Sequence, residues 1–111
     1  MRQDSSADWT HIIRSSVNAE KVAFKKHSIL RMRQRDISVE EFKEAMAHAE
    51  VIQFYDDDRP FPSALVLGFT TSGRPLHAVV ALDEENEQIW IITLYEPSVE
   101  NWNEEFKERR E

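Results

Sequence analysis

The feature that most constrains this chain is a change of apolar spacing at Glu50: helical before it, alternating after it. Trp9, Ile12, Ile13 and Val17 fall at i, i+3, i+4 and i+8. They form the apolar stripe of a helix from about Ala7 to about Val17, which Ser5 or Ser6 can cap with Asp8 in its first turn. Val22 and Phe24 alternate, as in a short strand or lead-in. A basic helix is expected from about Lys26 to about Arg35, with Ile29 and Met32 facing inward. Ser38 and Glu41 have capping-box spacing and open a third helix, whose stripe is Val39, Phe42, Ala45, Met46 and Ala49. Four strands are expected beyond Glu50: Val51–Tyr55, Ser63–Thr70, Arg74–Leu82 and Gln88–Tyr95. Short turns join them, so neighbours pair antiparallel. Pro97 stops the last strand, and Ser98 caps a short C-terminal helix that packs through Trp102 and Phe106. The expected class is α+β: N-terminal helices on one face of a four-stranded antiparallel sheet, with a short C-terminal helix.

With 111 residues, a single domain with its core at about 7–106 is expected. The chain has no cysteine, which excludes a disulfide scaffold and thiolate-held metal. Three consecutive aspartates, Asp56 to Asp58, lack the glycine and spaced oxygens of a calcium loop and read as a solvated turn. No metal or other cofactor is expected. No apolar run is long enough to span a membrane, and the polar stretch Met1 to Ala7 is unlike a signal peptide. The expected compartment is the cytoplasm.

The net charge of −7 argues against a non-specific nucleic-acid coat. Its distribution is uneven. Glu20 to Arg35 holds six bases against one acid, whereas Asp36 to Asp58 holds eight acids against one base. Within the basic segment His27, Arg31 and Arg35 recur every four residues, one above another on a helix face. Such a ladder, with Lys26 beside it, suits a phosphate-bearing ligand. It also suits a solvated face paired with nearby acids. His11 and His48 lie off the apolar stripes and read as surface histidines.

On the strands, alternation puts Ile89, Ile91, Thr93 and Tyr95 on one face, shared with His77 of the preceding strand. A turn centred on Glu85 sets His77 opposite Thr93 with Tyr95 diagonal; a two-residue slip sets Tyr95 opposite, and a one-residue slip separates them. Histidines, arginines and a tyrosine suffice for metal-independent RNA cleavage. One group takes the ribose 2′-hydroxyl proton as that oxygen attacks phosphorus, another protonates the leaving oxygen, and guanidiniums bind the phosphoryl oxygens. On this reading His27, His77, Tyr95 and Arg31 are catalytic, and Arg35, Lys26 and Thr93 hold substrate. For His77 alone, a hydrogen-bonded structural histidine is the competing reading.

The run from His27 to Ser38 resembles the H-A-x-x-R-M-x-x-R-x-I-S signature of a bacterial domain family of formally unknown function. The resemblance extends to Arg59–Ser63, Arg74–Ala81 and Ile92–Pro97 with Trp102 after it, over about Trp9 to Arg110. Ser28 stands where that signature has alanine, and Asp36 where it usually has glycine. The resemblance implies a ribonuclease toxin of the barnase–colicin–RelE class, with a zinc-finger, helix-turn-helix antitoxin as partner and RNA as substrate. A homodimer is compatible with it. Three readings follow. An endoribonuclease toxin gathers His27, Arg31, Arg35, His77 and Tyr95 in one cleft. A non-catalytic RNA- or protein-binding module exposes the ladder and buries His77 away from it. A structural domain satisfies Arg31 and Arg35 with acids such as Glu41, Glu44 or Glu96.

Overall fold

A computed structural model describes residues 5–83, 85–86 and 88–109, and the side chains from residue 9 onward. The expectations for Met1 to Asp4, for Asp8, and for parts of the acidic turn and of the C-terminal tail lie outside the described residues. The chain runs α1 (Ser5–Asn18), β1 (Val22–Phe24), α2 (Lys26–Gln34), α3 (Val39–Met46), β2 (Glu50–Tyr55), β3 (Ser63–Phe69), β4 (Pro75–Asp83) and β5 (Gln88–Tyr95). The class is α+β, with the expected meander of β2 to β5. The sheet, however, has five strands and is mixed. Val22–Phe24 joins it as an edge strand parallel to β5, giving the order β1-β5-β4-β3-β2.

The helices cover one face. Ala64 and Val66 of β3, Ala78 and Val80 of β4, and Ile89, Ile91 and Leu94 of β5 meet Ile13, Val17, Met32, Phe42 and Met46 in a single core. Gly68 allows the closest approach, because a Cβ there would collide with the Ala45 carbonyl oxygen. The Ser38–Glu41 capping box forms as expected, and each partner satisfies the other's free backbone donor.

Two inward assignments fail. Ile29 and Val39 are 44% and 48% exposed. On α2 the buried positions are Ser28 and Met32, one turn apart. Ser28 fits the alanine-sized position because its hydroxyl donates to the Lys25 carbonyl at 2.7 Å instead of meeting the core unpaired. Helix α2 ends in a Schellman motif: Ile37 N–H donates to Met32 O at 2.8 Å, and Asp36 N–H to Arg33 O at 3.2 Å. The motif puts Asp36 at φ +55°, a left-handed backbone that glycine adopts without strain.

Among the described residues no C-terminal helix forms. Ser98 starts a single turn, accepting from Asn101 and Trp102, and the chain then doubles back so that Trp102 bridges Arg109. This loop lies over the sheet face that the helices leave open, where Leu65, Leu67 and His77 are buried beneath it. Lys107 pairs with Glu50 at 3.4 Å, tying the loop to β2. Among the described residues, no helix is long and apolar enough to cross a membrane.

Candidate functional site

Strand β5 positions most of the expected residues, and it does so through a bulge. Val79 pairs with Thr93 but Val80 pairs with Ile91, so Ile92 is an extra residue in β5. Alternation is therefore broken: Ile89, Ile91 and Leu94 face the helices, whereas Thr93 and Tyr95 share the opposite face with His77. The four-residue set expected on one face is divided. His77 pairs with Tyr95 rather than with Thr93, the two-residue slip.

His77 is fully buried, at 0% exposure. Its Nε2 lies 2.7 Å from the Phe106 carbonyl oxygen, which only accepts, so Nε2 carries the proton. Its Nδ1, 3.1 Å from Tyr95 Oη, then accepts from the tyrosine hydroxyl. Trp102 packs edge-on against the ring, with centroids 4.4 Å apart. Burial pushes the His77 pKa below its ordinary 6.5, and the bond to Phe106 O only partly opposes this. Burial also raises the Tyr95 pKa, with Tyr55 acting in the same direction and Arg109 and Arg35 against it. The pair is neutral, hydrogen-bonded and roofed by the C-terminal loop. Phe106 supplies its carbonyl from a left-handed backbone at φ +62°, strained for an aromatic residue.

Helix α2 places the ladder along the edge of the sheet. Lys25 N–H donates to Ile91 O at 3.2 Å, which anchors the start of the helix. Past the end of β1, Arg35 Nη1 donates to Leu94 O at 2.7 Å and anchors its end. Helix and strand thus run side by side, and Arg35 reaches the residue adjoining Tyr95. Lys26, His27 and Arg31 are exposed. His27 lies about 12 Å from Arg35 along the helix axis, at 1.5 Å per residue. The structure brings Arg35, Tyr95 and His77 together and sets Thr93 two residues from Tyr95 on the same face. Lys26, His27 and Arg31 lie along α2, which leads away from that group.

The acids suspected of neutralising the ladder are engaged elsewhere. Arg74 Nε donates to Glu96 at 2.6 Å, and its Nη1 to both Glu41 oxygens at 3.1 Å. The same guanidinium donates to the carbonyls of Asp36 and Arg35 at 2.8 and 3.0 Å, locking the α2–α3 corner. The Ser38 backbone N–H first, and Arg74 after it, hold the Glu41 carboxyl below its usual range. Glu44 accepts from the Thr71 N–H at 3.0 Å. Among the described residues His27 and Arg31 have no carboxylate partner.

Sequence reasoning missed Arg74 as a clamp, Phe106 as the His77 acceptor, and the meeting of Lys25 with Trp90, whose ring centroid lies 4.9 Å from Lys25 Nζ. Only the last had a signal. A parallel strand at Val22–Phe24 would have put positions 25 and 90 on one face. A cleft of about 360 Å³ bordered by His11, Ser15, Lys21 and Leu82 lies on α1, apart from this edge.

Comparison with known proteins finds no match among curated proteins or solved structures. Residues 24–96, more than half of the chain, match the model of a domain of unknown function, DUF4258. The matched span contains the ladder, Arg74, His77 and Tyr95, while Trp102 and Phe106 fall outside it. The chain belongs to the DUF4258 family.

Proposed function

We propose that this chain is an RNA-binding module that holds backbone phosphates on Lys26, His27, Arg31 and Arg35. The observation that carries the reading is the diversion of acids. Glu41 and Glu96 are spent on Arg74, and His27 and Arg31 stay exposed with no carboxylate partner among the described residues of an otherwise acidic protein. The start of α2 supports it. Lys25 occupies the N-cap without a side-chain cap bond and no acid lies in the first turn, so free N–H groups and two lysines meet where an anion is favoured. His77, buried with both ring nitrogens engaged, favours binding over catalysis.

The test is fluorescence anisotropy of a labelled RNA at low salt, with Arg31→Ala and His27→Ala beside Arg59→Ala, which removes a cation from a distant turn. Losses of about tenfold or more are expected for the α2 variants only, in line with about 1.5–3 kcal/mol for a hydrogen bond to a charged group. Equal binding by all four proteins would overturn the reading.

A second reading, a metal-independent ribonuclease acting as the toxin of a toxin–antitoxin pair, is favoured by the Tyr95–His77 hydrogen bond. In it the Tyr95 oxygen takes the ribose 2′-hydroxyl proton while its own proton passes to His77 Nδ1, Arg35 binds the phosphoryl oxygens, and the departing 5′-oxygen takes a proton from solvent. Running the same samples on a denaturing gel separates the readings. Intact RNA is expected. Cleavage by wild type but not by Tyr95→Phe, with growth arrest on induced expression of wild type alone, would replace the binding reading with this one and call for an antitoxin partner.

A further inference from the structure

We infer that Trp90 is a base-stacking station that makes this edge selective for single-stranded RNA, an inference that rests on the RNA-binding reading above. The chain has three tryptophans. Trp9 and Trp102 are 7% and 6% exposed, and each packs edge-on against a ring, of Phe54 and His77 respectively. Trp90 is half-buried, and among the described residues no aromatic ring covers it. Its register neighbours are Ala23 on β1 and Ala81 on β4, so small methyl groups flank the large indole on both sides. Its indole N–H makes no hydrogen bond of normal geometry but points toward Asp83, whose carboxyl is held low chiefly by Asn86 and lastly by this group.

What sits over the indole ring is a lysine. Such a cation–π contact at an exposed site is weak, so Lys25 can turn from ring to phosphate. Charge gives the site a direction. Lys25 and Lys26 lie on the β1 side of Trp90, whereas Asp83 lies on the β4 side. A strand of RNA is therefore held with its phosphates along α2 and a base over Trp90, and half-buried Thr93 continues the row along β5. Bases locked in a duplex cannot reach the indole, and unpaired bases can. Stacking on an aromatic side chain is also indifferent to base identity.

Intrinsic fluorescence reads this directly, because the other two indoles are buried. Titrating wild type with a short oligouridylate should quench and shift the emission, whereas a blunt-ended, self-complementary RNA duplex should not. Trp90→Leu keeps the site apolar and should bind the oligouridylate about tenfold more weakly, with duplex binding unchanged, since stacking contributes about 1–3 kcal/mol per base. Lys25→Ala should leave the quenching in place and weaken binding most at low salt. If wild type binds the oligouridylate by anisotropy, loses affinity with Arg31→Ala, yet shows no emission change, the stacking inference fails and the phosphate-binding reading stands. Equal quenching by oligouridylate and duplex overturns the single-strand selectivity. Absence of any binding by wild type overturns both. The wild-type emission arm decides even where Trp90→Leu folds poorly.

Discussion

At the scale of single residues, His77 converts burial into pH dependence. Its folded pKa lies below the ordinary 6.5, so in the window beneath 6.5 the unfolded chain binds a proton that the native chain refuses. Stability is therefore complete above that value and falls as pH drops through the window. Urea midpoints measured between neutral pH and about pH 5 should decline for wild type. For His77→Gln, whose amide can serve both Tyr95 and Phe106 without titrating, they should be nearly level. A matching decline in the variant would assign the effect to other groups. Glu41 and Asp83, both held below the usual carboxylate range, act only at lower pH and do not blur the window. Asp36 works in the opposite sense. It bears a left-handed backbone that glycine tolerates better, and its negative charge lies at the negative end of α2. Asp36→Gly should raise stability by up to about 1 kcal/mol, less the entropy glycine adds to the unfolded chain. The midpoint of a denaturant titration checks it, and a loss of stability would show that the aspartate makes a contact worth more than its strain.

At the scale of elements, the contact between α3 and β3 has no slack. Gly68→Ala would drive a methyl group into the Ala45 carbonyl oxygen, part of the backbone and unable to rotate away. Overpacking of this kind costs about 3 kcal/mol or more, so the variant should lose that much in urea titration. A cost under about 1 kcal/mol would mean that α3 can slide over the sheet. Element identity was legible where periodicity is strong: the stripe of α1, that of α3 apart from Val39, the Ser38–Glu41 cap and the three-turn meander were all readable. What escaped was phase and partnering. The break at Ile92 leaves a faint trace, two adjacent isoleucines in an otherwise alternating run, and it turns Thr93 and Tyr95 to the face opposite Ile91. Strand β1 was seen as three residues but not as a parallel partner, because pairing with a strand more than sixty residues on has no local signature. The expected C-terminal helix failed because Trp102 and Phe106, spaced as a helical pair, are instead claimed by His77, one through its ring and the other through its carbonyl.

At the scale of the molecule, a protein with net charge −7 that binds RNA must do so against its own field, so affinity has to come from a few local contacts. That gives the salt dependence a definite size. If Lys26, Arg31 and Arg35, helped by His27, neutralise about three phosphates of a single strand, the logarithm of affinity should fall against the logarithm of salt with a slope near −2. Screening of the acidic remainder makes it shallower. Arg31→Ala should flatten that slope by about 0.7, one phosphate contact, whereas Trp90→Leu should lower affinity at every salt concentration and leave the slope alone. The two variants thus separate charge from stacking within one experiment. A slope that Arg31→Ala leaves untouched would take the ladder out of the interface, whatever the protein binds.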